Sequence, residues 1–194
     1  LGASLALLLP STVISSVKFM SEESQKRYIK NVFSKYMAPR VVDELIKNPD
    51  ALQLGGELRN ISIFFSDVEG FSSISEKLTP QQLVSLLNEY LSEMTDILLR
   101  YEGTVDKYEG DAIIAFFGAP LAFEDHPARV CLAAIDMKRR LAELREEWGK
   151  KGTFQLKVRM GINTGDAVVG NMGSRQRMDY TMMGDAVNLA SRLE

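Results

Sequence analysis

With 194 residues, the chain holds one domain plus a modest extra segment rather than two full domains. Hydrophobic residues at 45% and charged residues at 25% exclude wholesale disorder, and 26 acidic against 23 basic residues, a net charge of −3, leave no overall electrostatic footprint for nucleic acid. A single cysteine, Cys131, excludes an internal disulfide and an all-cysteine zinc site, and the single histidine, His126, makes zinc unsuited altogether.

The segment Leu1 to Val17 carries no charge, and Leu5 to Leu9 is almost solid leucine and alanine. It is slightly shorter than the roughly 20 apolar residues of a spanning helix and lacks the basic start and small-residue cleavage site of a signal peptide. Lys18, Lys26, Arg27, Lys30, Lys35 and Arg40 follow, against Glu22 and Glu23, which is the positive-inside pattern. Residues 1–20 are therefore expected to be the end of a transmembrane helix in the cell inner membrane, with the rest of the chain cytoplasmic; the competing reading is a buried core helix. Residues 21–57 read as a helical connector. Tyr28, Ile29, Val32, Phe33, Tyr36 and Met37 recur at helical spacing, Pro39 interrupts, and Val41 to Lys47 forms a second short helix ended by Asn48-Pro49. A helix that simply caps the core fits this pattern equally well.

From residue 58 onward strands and helices alternate. Leu58 to Ser66 is β-branched and aromatic (Ile61, Ile63, Phe64, Phe65) and near-continuous in apolar character, as for a strand covered on both faces. Thr79, Pro80 and Gln82 form a capping-box start to a helix whose apolar stripe runs from Leu83 to Leu98 and which Gly103 ends. Thr104–Tyr108 and Asp111–Phe117 predict two strands joined by a tight turn at Glu109-Gly110. Pro127 opens a second helix reaching about Trp148. Phe154 to Ile162 alternates as a strand with one wet face; shorter strands follow at Ala167–Gly170 and Met178–Met183, and Asp185 caps a last helix. Strand, helix, hairpin, helix, strand is the split arrangement of an α+β, ferredoxin-like βαββαβ core with an antiparallel sheet, here with extra C-terminal strands.

Asp67 ends the first strand and is followed by Gly70, while Asp111 sits beside the hairpin turn. In this topology the first strand and the second hairpin strand are neighbours, so the two carboxylates converge at one edge of the sheet. Such a hard, oxygen-rich pair suits magnesium, although either aspartate alone is commonplace at a turn. Asn188 and Arg192, four apart, share one face of the last helix, where an arginine can stabilise charge on phosphoryl oxygens. An exposed polar helix face explains the same spacing.

At this point the chain resembles the catalytic domain of class III nucleotide cyclases, from about Ile61 to Glu194. The resemblance rests on Phe65-Ser66-Asp67-Val68-Glu69-Gly70-Phe71-Ser72, on Asp106-Lys107-Tyr108-Glu109-Gly110-Asp111, on Arg159-Met160-Gly161-Ile162-Asn163-Thr164-Gly165 and on Tyr180 through Arg192. It implies a palm-like fold over residues 58–194 and conversion of ATP to 3′,5′-cyclic AMP and pyrophosphate. Asp67, Asp111 and the Val68 carbonyl are implied as ligands of two Mg2+ or Mn2+ ions, which assist attack of the ribose 3′-hydroxyl on the α-phosphorus. Asn188 then fixes the ribose and Arg192 stabilises the transition state. Lys107 and Thr181 stand where the family selects the base, and a lysine donor with a threonine hydroxyl suits adenine. Many adenylyl cyclases carry aspartate in place of Thr181, whereas guanylyl cyclases usually carry a glutamate and a cysteine at this pair. The resemblance further implies a homodimer with shared active sites, and strands beyond the position of Glu194, so the domain reads as missing its C-terminal end. A guanylyl cyclase and a non-catalytic dimerisation or signalling module are the alternatives. A diguanylate cyclase is disfavoured, because Gly55-Gly56-Glu57-Leu58 lies outside the hairpin where that family's signature belongs.

Overall fold

The centre of the molecule is β1 (Gly55–Val68), whose stretch from Ile61 to Phe64 is buried on both faces. In the computed structural model, which describes residues 24, 27, 28, 30, 39–47, 53–152 and 154–194, it is preceded by α1 (Pro39–Lys47). There follow α2 (Phe71–Ser75), α3 (Pro80–Arg100), β2 (Thr104–Glu109), β3 (Ala112–Phe117), α4 (His126–Lys150), β4 (Val158–Ser174), β5 (Arg177–Met183) and α5 (Asp185–Leu193). The sheet order is β2-β3-β1-β4-β5 with every neighbouring pair antiparallel, so the α+β, ferredoxin-like reading with an antiparallel sheet holds. The expected end of a transmembrane helix at residues 1–20 lies outside the described residues, as does most of the connector. Among the described residues no helix is long and apolar enough to cross a membrane.

The apolar character of the middle of β1 on both faces has a direct cause. Phe64 and Val68 pack with Ile113, Ala115 and Phe117 of β3 under α3 and α4, while Ile61 and Ile63 pack with Ile114, Phe116, Met182 and Ala190 on the opposite side. Period-two alternation thus separates two apolar faces, and each must be hydrophobic because each is covered. Full burial of each such side chain stabilises the fold by about 1.5–3 kcal/mol.

The start of α3 follows the expected chemistry: the Thr79 hydroxyl accepts from the Gln82 N–H at 3.3 Å, and the Gln82 side chain accepts from the Thr79 N–H at 3.0 Å. At its other end the left-handed residue is Glu102, with φ of 68°. Gly103 instead donates its N–H to Leu98 O at 2.9 Å as the chain leaves the helix. The single histidine is explained by packing. His126 Nδ1 meets the Ser62 hydroxyl at 2.8 Å, and that hydroxyl also meets Thr164 Oγ1 at 2.6 Å, which ties the start of α4 to β1 and β4.

Two expectations are corrected. The strand predicted from Phe154 begins only at Val158, and it does not stop before the one predicted at Ala167. β4 is a single strand because β1 offers it a continuous ladder, from Val68 opposite Val158 to Gly55 opposite Asn171. The last helix is capped by Gly184, whose carbonyl accepts from Val187 and Asn188. Asp185 lies in its first turn, where its charge favours the helix dipole.

Candidate active site

The site residues expected from the sequence fall into three groups, two held by the sheet and one by α5. The first is the acid pair. β3 runs antiparallel to β1 with Ser66 opposite Ile113, so the β2–β3 turn sits beside the end of β1. That turn is two residues long, Gly110 and Asp111, and Gly110 takes φ of 66°, a conformation that requires glycine at the first turn position. Asp111 Oδ2 accepts the Val68 N–H at 3.0 Å. Burial pushes the Asp111 carboxyl above the usual carboxylate range, and contact with the neighbouring Asp67 carboxyl adds to the effect, while the Val68 N–H opposes it. Asp67 Oδ2 in turn accepts from Arg159 Nη2 at 2.8 Å, directly across the β1–β4 ladder. The Glu194 carboxyl is also pushed up, first by burial and then by Asp67. Beneath lie the buried hydroxyls of Ser66 and Tyr90, close together yet without a well-formed hydrogen bond. Burial raises the Tyr90 hydroxyl, which stays protonated.

This donor set fits a hard divalent cation. The carboxylates crowd one another, which a cation relieves, and all of their donor atoms are oxygens. Among the described residues no group of three or more histidine, cysteine, aspartate or glutamate side chains is arranged to hold an ion. A pair of carboxylates therefore suits a magnesium-type ion that keeps water and takes phosphate oxygens from a substrate, rather than a closed protein cage.

The second group surrounds Asp106. The β2–β3 register slips between Val105 and Lys107, so Asp106 is the extra residue of a bulge and leaves the alternation that otherwise governs strand side chains. Its side chain is only 4% exposed. Asp106 Oδ2 accepts the Thr181 hydroxyl at 2.7 Å, and Lys107 Nζ lies 3.7 Å from the same oxygen. Burial raises the Asp106 carboxyl, opposed by the Thr181 hydrogen bond and by Lys107. The β4–β5 hairpin brings Thr181 here by folding over the sheet, with the Tyr180 ring 6.1 Å from that of Phe116.

The third group is the exposed face of α5, with Asn188 and Arg192. The helix lies directly on β4: a Cβ at Gly161 would collide with the Ala190 carbonyl, and Asn163 Nδ2 donates to Ala186 O at 2.9 Å. Among the described residues no hydrogen bond or ion pair joins the acid pair to Lys107, Thr181, Asn188 or Arg192.

The structure thus brings Asp67, Val68 and Asp111 together at one place, and Lys107 with Thr181 at another. Sequence reasoning assigned no role to Asp106, Arg159 or the Ser66–Tyr90 pair. Asp106 and Arg159 both lay inside motifs singled out above, but a bulge and a cross-strand register leave no mark in a single sequence. A cleft of about 330 Å³ between α1 and the start of β1, lined in part by Val41, Glu44, Arg59 and Tyr180, contains none of the predicted site residues.

Comparison with known proteins follows this geometry. Residues 56–194 match the family described as adenylate and guanylate cyclase catalytic domain. Adenylate cyclase 1 of Rhizobium meliloti is 35% identical over 136 residues, which is 70% of this chain and 20% of that protein. Across the curated relatives it matches, the chain spans no more than about a third of their length. The crystal structure of the adenylyl cyclase CyaB from P. aeruginosa superposes with a TM-score of 0.69 at 43% identity, covering 72% of this chain and 73% of that one. The guanylyl cyclase Cya2 superposes with a TM-score of 0.68 at 40% identity, covering 72% and 71%.

Proposed function

The chain belongs to the class III nucleotide cyclases, and from that premise we propose that it converts ATP to 3′,5′-cyclic AMP and pyrophosphate. The observation that carries the reading is the convergence of Asp67 and Asp111 at the end of β1, with one Asp111 oxygen fixed by the Val68 N–H. These two carboxylates, with the Val68 carbonyl, would hold two divalent ions, Mg2+ or Mn2+. Such ions supply Lewis acidity that favours ionisation of the ribose 3′-hydroxyl and neutralises the triphosphate. The chain's own residues do the rest. Lys107 donates to the acceptor nitrogen of the adenine ring, Thr181 meets the amino group, and Asn188 orients the ribose. The 3′-oxygen attacks the α-phosphorus, the bond to pyrophosphate breaks, and Arg192 stabilises the charge on the phosphoryl oxygens.

Because the chain is nearly as similar to a guanylyl cyclase structure as to an adenylyl cyclase one, overall likeness does not choose the base. Lys107 and Thr181 support ATP. A homodimer with shared sites is part of the proposal, and two features support it. Both halves of the constellation are present in one chain without a bond between them. Exposed apolar side chains also line up across three strands, Leu58 opposite Val168 and Val168 opposite Met183, with Leu189 and Leu193 exposed on α5. A two-fold interface reuses one such patch on both subunits. Attachment to the inner membrane through residues 1–20, with a cytoplasmic catalytic domain, completes the proposal; recovery of the protein in a salt-washed membrane fraction tests it.

The central test incubates the protein with ATP or GTP and Mg2+ or Mn2+ and follows products by mass spectrometry. Cyclic AMP that vanishes in Asp67→Ala is expected. Preferential formation of cyclic GMP would reverse the base assignment, and a folded dimer inert toward both nucleotides would favour a module that signals by pairing.

A further inference from the structure

A threonine hydroxyl is an ambiguous reader of a purine. It carries one donor and two acceptor positions and rotates to suit its partner, so Thr181 alone accepts from the amino group of adenine as readily as it donates to the carbonyl of guanine. Asp106 removes that ambiguity. Its carboxylate can only accept, it is buried, and its Oδ2 takes the Thr181 hydroxyl hydrogen at 2.7 Å. The oxygen of Thr181 is then left with lone pairs alone to offer. The other carboxylate oxygen, Oδ1, is buried with no partner among the described residues, so no competing donor turns the carboxylate away. Lys107, 3.7 Å from Oδ2, places the one donor of the cluster beside these acceptors.

We propose that Asp106 is a positioning residue for base selection: by fixing the direction of the Thr181 hydroxyl it makes the site accept a base that donates an amino hydrogen and reject one that presents a carbonyl. The inference rests on the reading of Lys107 and Thr181 as the base-selecting pair and adds the residue that gives the pair its polarity. Adenine matches the resulting pattern, a donor from Lys107 and an acceptor from Thr181. Guanine opposes it at both positions, with a ring N–H toward the lysine and a carbonyl toward the lone pairs. A site built to make a hydrogen bond rejects the mismatched ligand strongly, because its polar groups are left unpaired.

The test measures binding of 3′-deoxy-ATP and 3′-deoxy-GTP, which cannot cyclise, together with kcat/KM for ATP and GTP. It uses the whole chain with Mn2+ as wild type, Asp106→Asn, Thr181→Val and the double variant. Asp106→Asn offers an amide that donates as well as accepts, so the hydroxyl can reverse. The preference for the adenine nucleotide is expected to fall roughly tenfold or more. Thr181→Val should produce a similar fall, and Asp106→Asn should add nothing to it. If Asp106→Asn folds poorly, Thr181→Asn keeps Asp106 intact: its amide hydrogens bind the carboxylate and its carbonyl faces the base, so the adenine preference should survive. A preference unchanged in Asp106→Asn, or a Thr181→Asn variant that behaves like Thr181→Val, would overturn the proposal. A Thr181→Val variant with wild-type preference would instead overturn the underlying assignment of Thr181, and with it the role given to Asp106.

Discussion

The acid pair at the end of β1 and the Asp106 cluster on β2 both bury carboxyl groups, yet they treat the charge in opposite ways. Asp111 is pressed against Asp67, with backbone N–H groups, that of Val68 among them, opposing the cost of its charge. Two like charges held together are a liability for folding that a divalent cation relieves. Asp106, more deeply buried, is compensated from within the chain by Thr181 and Lys107. One region is arranged to be completed by a ligand, the other to be finished before a ligand arrives. Within the acid pair Asp67 has Arg159 at 2.8 Å, so what a cation is left to relieve is the crowding of Asp111 against it, whereas a group that reads a base needs fixed polarity.

The sharpest way to break this contrast is Asp111→Asn. Turnover should fall by at least about 10³-fold, since the loss removes an ionic ligand from the reacting centre. Without added metal the variant should melt higher than wild type, because one of the two repelling charges is gone while the Val68 N–H keeps an acceptor. Differential scanning calorimetry with and without Mn2+ checks this: the ion should stabilise wild type and leave the variant unmoved. A variant that melts lower without metal would contradict the like-charge argument.

Arg192→Ala comes next. It should cost about 10²–10³-fold in kcat with little change in KM or in Mn2+ stabilisation, because Arg192 is exposed on α5 and bonded to neither cluster. Steady-state kinetics on ATP separates these terms.

A smaller effect concerns pH. Asp111 has a folded pKa above its unfolded value, so the native state binds the extra proton. The stability this contributes is fully present below the ordinary carboxylate range and is lost as pH rises through the raised value. Metal-free wild type should therefore gain stability on mild acidification relative to Asp111→Asn, while activity falls over the same window because the metal ligand becomes protonated. Parallel melting and rate profiles for the two proteins test both signs. At the small end, Thr79→Ala should lower stability by about 1 kcal/mol through loss of the α3 cap, with kcat/KM unchanged, as read by urea unfolding and initial rates.

Much of the architecture was legible in the residues. Thr79, Pro80 and Gln82 announce α3 because capping is local chemistry. Ile61, Ile63, Phe64 and Phe65 in β1 announce a doubly covered strand, since apolar residues on both alternating faces are needed only when both are buried. The convergence of Asp67 and Asp111 followed from topology, because a split βαβ unit leaves room for the hairpin beside the first strand. What escaped depended on pairing. The fusion of two predicted segments into β4 required the whole length of β1 as a template, and the left-handed turn at Glu102 was hidden by the glycine next to it.

The sequence by itself determined which residue types the molecule has for chemistry, where α3 begins and that the middle of β1 is covered on both sides, because propensity, capping and hydrophobic period act over a few neighbouring positions. Only the tertiary structure decided that Arg159 faces Asp67, that a bulge turns Asp106 inward and that the β4–β5 hairpin carries Thr181 onto it. Those contacts join residues 92 and 75 positions apart, and their geometry depends on register and sheet curvature, which no local pattern encodes.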